Sequence, residues 1–296
     1  MQIPLLELHQ RSHRLLPRSG FGEARRSRAK TGEGGRQRGQ VQEYRTDVKS
    51  CLREDRPRPN APANQRTLCA NEPHRVPHGH GHTPLGDRPI DLLDIGDDLA
   101  VVLDELEYDS VDVMGYSFGG GAALRLAIQH PEVVRRLVIV SAGYAREGFF
   151  PELIPMQEAV SSAMADQMKG TPMYESYVAI APNPDEFPDL LDAMGALMRK
   201  PYDWTEEVKT LEMSVMLVYG DSDMLQLDHI VKFYQLLGGG LKDAGWQREH
   251  MSQNRLAILP DLTHYEAFFA PELAATVLPF LNGESRVKTW ADQVGE

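Results

Sequence analysis

Cysteine is scarce in this chain: Cys51 and Cys69 are the two among 296 residues. Two thiols are too few to build a disulfide framework. Long apolar runs are also missing. None approaches the roughly 20 residues that span a bilayer. The opening "MQIPLLELHQRSHRLLPRSG" has no apolar block after a basic one, as a secretory leader would. Its Arg and Ser content leaves a transit peptide as the alternative reading. No internal repeat is visible. These lacks lead us to expect a cytoplasmic protein with no membrane partner. The length suffices for one sizeable core plus a small attachment.

Charge is present but unevenly spread. The chain carries a net charge of -12. Residues 1–82 nevertheless hold 16 Lys and Arg against 8 Asp and Glu. A basic arm on an acidic body raises the question of nucleic acid. The arm has no aromatic interleaving and matches no recognised nucleic-acid module. We therefore expect no nucleic-acid partner. Residues 10–75, as in "RSHRLLPRSGFGEARRSRAKTGEGGRQRGQ", show neither helical nor strand periodicity. Little apolar content with much Arg, Pro and Gly is a disorder-like composition. It is also the composition that a stretch translated in a shifted frame would have.

From about residue 84 the texture changes. "IDLLDIGDDLAVVLDELEYD" places Leu92, Ile95, Leu99, Leu103 and Leu106 on one helical face, opposite acids. A β-branched run at 111–114 predicts a strand, and a helix follows from about Phe118 to Gln129, ended by Pro131. "RLVIVSAG", "SVMLVYGDSD" and "RLAILPDLTHYEAF" predict further strands, each with a loop after it. "LDHIVKFYQLLGGG" and "PELAATVLPFL" predict helices. Strands and helices in alternation, with near-continuous apolar strands, predict an α/β fold with a parallel sheet. Between residues 144 and 208, "PELIPMQEAVSSAMADQMKG" and "PDEFPDLLDAMGALMRK" predict two Met-faced helices. Such a stripe either packs into the core or covers a pocket as an adaptable lid. Phe149, Phe150, Tyr174, Tyr177 and Trp204 in the same region suggest an apolar pocket.

One junction carries chemistry. Gly115-Tyr116-Ser117-Phe118-Gly119 fits G-x-S-x-G between a strand and a helix, the setting of a nucleophile elbow. Strand and helix backbones approach there, so the neighbours of Ser117 must lack side chains. The Phe118 amide would sit at a helix N-terminus, free to face a developing oxyanion. A dinucleotide-binding turn is the rival, but Ser117 occupies the place of its second glycine. Its later acid is also missing from "LVIVSAGY".

A serine hydroxyl needs a base, and the base an orienting carboxylate. Asp221 and Asp223 follow one later strand, and His264 follows the last. No other histidine has such a placement. The order Ser, Asp, His is that of the elbow-bearing hydrolases.

On "GHGHT", "GYSFGG", "VYGDSD" and "LPDLTHYEAF", the chain from about residue 80 resembles the α/β-hydrolase superfamily of serine hydrolases. The resemblance implies Ser117 as nucleophile, His264 as base, and Asp223 in preference to Asp221 as the acid. It implies a small-molecule acyl substrate, such as an ester, and no cofactor. Domain boundaries follow: an atypical segment 1–76, a hydrolase domain 77–285 with a lid at about 144–208, and a tail 286–296.

The resemblance fails in residues 1–76. Family members begin with several strands, and a His-Gly loop after one of them gives the second oxyanion donor. "KTGEGG" lacks both the His and the apolar strand. We therefore expect missing or divergent N-terminal strands. The strand at 111–114 would then be an exposed sheet edge, and the chain poorly soluble and weakly active. A degenerate hydrolase-like protein is the alternative to an active enzyme. His74, His78, His80 and His82 have H-x-H spacing, but no further ligand is signalled. We expect no metal. The sequence gives no oligomeric state.

Overall fold

The computed structural model describes residues 67–69, 85, 86, 88–284 and 290. Among the described residues five strands form one sheet in the order β1 (Thr67–Cys69), β2 (Val111–Tyr116), β3 (Val134–Val140), β4 (Ser214–Ser222) and β5 (Arg255–Thr263). Every neighbouring pair is parallel. Among the described residues the helices are α1 (Leu92–Glu105), α2 (Phe118–Gln129), α3 (Leu153–Glu158), α4 (Ala165–Met168), α5 (Pro172–Ile180), α6 (Phe187–Met198), α7 (Thr205–Val208), α8 (Leu227–Leu236), α9 (His264–Ala267) and α10 (Pro271–Leu281).

The central strands β2, β3 and β4 are buried on both faces, and the alternation of β3 and β4 divides the core in two. Leu137 and Ile139 of β3 and Val215, Leu217 and Tyr219 of β4 point into the larger cluster. There they meet α1 through Ile95, Leu99 and Leu103, and α8 through Ile230 and Phe233. Val138, Val140, Met216 and Val218 point the other way, onto Leu273, Val277 and Leu281 of α10. Helix α1 starts where Asp91 accepts a hydrogen bond from the Leu93 amide, which satisfies one of the free N–H groups at a helix start.

One expectation is corrected. β2 is not the edge of the sheet: Thr67, Leu68 and Cys69 pair in parallel with Asp112, Val113 and Met114. A strand from the segment 1–76 therefore covers the β2 edge. The "GHGHT" loop, the four clustered histidines and the boundary at 76/77 lie outside the described residues, as does the tail 286–296 apart from the exposed Trp290.

The lid also differs in detail. The helix expected over 151–170 is broken into α3, a 3-10 turn (Ser162–Met164) and α4, with Ser161 extended between them. α5 was not foreseen. It opens on Thr171, whose hydroxyl accepts from the Tyr174 amide, followed by Pro172 at a first-turn position where proline is tolerated. Met164, Met168 and Met194 pack against the core, while Met156 and Met173 are exposed. Tyr177 and Trp204 are buried in the core rather than facing open space. Trp204 lies beneath the Arg125 guanidinium, 5.2 Å from the ring centroid.

The lid enters and leaves through a hydrogen-bonded neck. Ala145 bridges Asp203 and Phe149 bridges Leu225, both antiparallel. The Arg146 amide donates to Tyr202 O at 3.0 Å, and the Trp204 amide to Tyr144 O at 2.9 Å. Among the described residues no helix is long and apolar enough to cross a membrane.

Candidate active site

β2 ends at Tyr116 and α2 begins at Phe118, which leaves Ser117 as the whole connection. That turn forces Ser117 to φ 53°, ψ -120°, a region that side chains rarely occupy. The helix folds back so closely that a Cβ on Gly115 would stand 2.1 Å from Gly119 O. Only glycine fits there. Ser117 makes no side-chain cap to its own helix, and its Oγ lies 2.9 Å from His264 Nε2.

His264 opens α9, directly after β5. Thr263 and Glu266 close a capping box around that helix start, which fixes the backbone carrying the imidazole. Nδ1 lies 3.0 Å from Asp223 Oδ1. The Asp223 carboxylate is buried and well supplied with donors. The Met224 amide donates to Oδ1 at 2.7 Å, and the Ser141 hydroxyl to Oδ2 at 2.5 Å. Burial by itself would raise this carboxyl. The hydrogen bonds from His264 and Ser141, with the His264 charge and the Met224 amide, outweigh it and hold Asp223 below the usual carboxylate range.

The structure thus brings Ser117, His264 and Asp223 into one chain of hydrogen bonds. Asp221 stands apart: its Oδ1 meets the Ser222 hydroxyl and the Leu262 amide, each at 3.4 Å. Phe118 is the first residue of α2, where N–H groups have no partner within the helix. The segment where family members carry the second oxyanion donor lies, apart from Thr67–Cys69, outside the described residues. Among the described residues no cluster of His, Cys, Asp and Glu is arranged to hold a metal ion.

Two residues of this site escape the sequence reading. Ser141, the first residue after β3, turns to φ 53° and aims its hydroxyl at Asp223. Tyr116 donates its hydroxyl to the His264 carbonyl at 2.5 Å, and its ring lies 5.2 Å from the imidazole. Burial, then the nearby Asp223 charge, pushes the Tyr116 phenol up, so it remains a donor. A lone Ser after a strand and the variable second position of G-x-S-x-G carry no pattern that would reveal either.

The family described as alpha/beta hydrolase fold matches residues 19–209. The chain belongs to that family. The match starts inside the segment that the sequence reading sets apart. The hydrolase is 31% identical over 205 residues to the 2-hydroxymuconate semialdehyde hydrolase of Pseudomonas sp. (strain CF600), covering 53% of this chain and 72% of that protein. A 41-residue stretch is 58% identical to the 2-hydroxymuconate semialdehyde hydrolase of Pseudomonas putida, covering 14% of this chain and 15% of that one. Among solved structures, the hydrolase resembles MGS-M2, an alpha/beta hydrolase enzyme from a Medee basin deep-sea metagenome library. That likeness has a TM-score of 0.50 at 14% identity and covers 71% of this chain and 78% of that one. It supports the fold.

Proposed function

We propose that the chain is a serine hydrolase that works on a small acyl substrate through Ser117, His264 and Asp223. The observation that carries the reading is the unbroken chain from Ser117 Oγ to His264 Nε2, and from Nδ1 to a buried, ionised Asp223. Ser117 Oγ attacks the substrate carbonyl carbon while Nε2 takes the hydroxyl proton. Asp223 fixes the tautomer of His264 and stabilises the imidazolium that forms. The carbonyl electrons move onto oxygen, which faces the Phe118 amide. On collapse the leaving group takes the proton from Nε2. Water, deprotonated by His264, then attacks the acyl-enzyme and frees Ser117.

The degenerate reading rested on absent N-terminal strands and an incomplete oxyanion hole. The β1 pairing supplies one such strand and supports the active enzyme. A second substrate class is favoured by the 31% identical relative, whose name makes 2-hydroxymuconate semialdehyde its substrate. That compound has no ester, so its hydrolysis breaks a C–C bond next to a carbonyl. Both classes need the same nucleophile and base.

A fluorophosphonate probe should label the wild-type protein at Ser117 and leave Ser117→Ala unlabelled. Turnover of p-nitrophenyl acetate, set against loss of the dienol absorbance of 2-hydroxymuconate semialdehyde, ranks the two classes. Labelling that persists in Ser117→Ala would remove the reading.

A further inference from the structure

The loop after β4 does two things at once. Asp223 is the proposed acid, and three residues later Gln226 grips the entrance of the lid. The Gln226 amide donates to Gly148 O at 2.8 Å. Its side-chain Nε2 donates to Phe149 O at 2.8 Å and to Glu147 O at 2.9 Å. The primary amide has two hydrogens and two carbonyl acceptors, so both are used. Between these ends, the Phe150 amide donates to Met224 O at 3.3 Å. Met224 is the residue whose own amide holds Asp223 Oδ1 at 2.7 Å. The single residue Met224 therefore carries both a lid hydrogen bond and the hydrogen bond that aims the acid.

We infer that Gln226 is a positioning residue that locks the lid entrance to the Asp223 loop, so that the lid's seating sets the aim of the catalytic acid. The inference rests on the proposed role of Asp223. Gln226 touches neither substrate nor the reacting atoms; it acts through Met224 and Asp223. Misplacing a catalytic group by about 1 Å from a distance costs up to about 10²-fold in rate. A lid that only covered substrate would change the binding of long acyl chains and leave the chemistry on a small ester alone. A lid that also holds the acid must change kcat on the smallest ester.

The test is Gln226→Met, which keeps the length of the side chain and removes both donors. Fluorophosphonate titration counts competent sites, so kcat is taken per site and a poorly folded fraction does not enter. On p-nitrophenyl acetate, kcat should fall by about tenfold or more with KM within about twofold. Hydrogen exchange of intact protein should rise together at residues 147–150 and 222–226. A kcat within twofold of wild type overturns the coupling, as does faster exchange at 147–150 alone. Gln226→Lys, whose ammonium still donates to carbonyl oxygens, should recover most of the lost kcat; no recovery argues for packing rather than hydrogen bonding and counts against the inference. Ser117→Ala runs beside them. If that variant keeps turnover, the serine-hydrolase reading itself fails, and the result is distinct from a failure confined to Gln226.

Discussion

Asp223 keeps its place through donors on two of its neighbours in the sheet, Ser141 after β3 and His264 after β5. Two predictions belong to this residue. Asp223→Asn should lower kcat by about 10³- to 10⁴-fold, because an amide favours the wrong tautomer of His264. Asp221→Asn should stay within about threefold, since its contacts are weak ones to Ser222 and Leu262. Parallel kcat measurements decide between them, and the reverse order would move the acid to Asp221. Ser141→Ala removes one hydrogen bond to a charged group, a loss of about 1.5–3 kcal/mol, and should cut kcat by about tenfold while the protein stays folded. At this scale Ser117, His264 and Asp223 are legible in the sequence because each follows a strand and two of them carry a local glycine signature. Ser141 and Tyr116 are not. Each acts through one hydrogen bond to a residue far along the chain, and such a bond leaves no periodicity behind it.

At the scale of elements, the lid neck contains a half-buried base outside the Ser117–His264–Asp223 chain. His229, at the start of α8, stacks on Tyr144 with ring centroids 4.1 Å apart. A Cβ on Gly148 would stand 2.5 Å from its Nε2, so the ring lies flush against the lid entrance. Nε2 is buried without a hydrogen-bond partner. Burial pushes His229 down to about 4, against the opposing pull of Asp228, Asp203 and Glu147. The unfolded chain protonates this imidazole from about pH 6.5 downward, whereas the folded chain keeps it neutral. Stability from this group is therefore complete above pH 6.5 and is lost as pH falls from about 6.5 to about 4. After allowance for its partial exposure the loss is about 1–2 kcal/mol. Urea midpoints between pH 7 and 4.5 should fall less steeply for His229→Leu than for wild type; equal slopes would place the acid sensitivity elsewhere.

β1 belongs to the same scale. Three residues of "RTLCAN" are too few to show alternation, and their partners lie beyond a long connection, so the strand was illegible. Deleting residues 67–69 should leave the β2 edge open, and edges of this kind pair with other chains. Light scattering of the deleted protein should show more association than the wild type does at the same concentration. Of the two helices expected in the lid, the second forms as α6, and the first is broken for a related reason. The apolar spacing of 151–170 suits a helix, but Ser161 takes an extended backbone that periodicity does not report.

Across the whole molecule, the pattern that was easiest to read is the doubly buried centre of the sheet, β3 and β4. Runs such as "RLVIV" and "VMLVY" admit few other architectures, and α2, α8 and α10 fall where their apolar spacing puts them. The division of the core into two clusters was less visible, because a buried run does not say which face is larger. It has a consequence for how the molecule comes apart. α10 docks through Leu273, Val277 and Leu281, an i, i+4, i+8 stripe. Arg136 Nη1 reaches its last turn at Leu281 O, 2.7 Å away. Three buried aliphatic side chains contribute on the order of 5–9 kcal/mol at most, before the entropy of ordering the helix is subtracted. β3 and β4, held from both sides, have no such weak seam. The hydrolase should therefore shed α10 first, in an opening that leaves the larger cluster and the Ser117 elbow standing. In native-state hydrogen exchange, the amides of 271–281 should open at a lower free energy and with a smaller denaturant slope than those of β3 and β4.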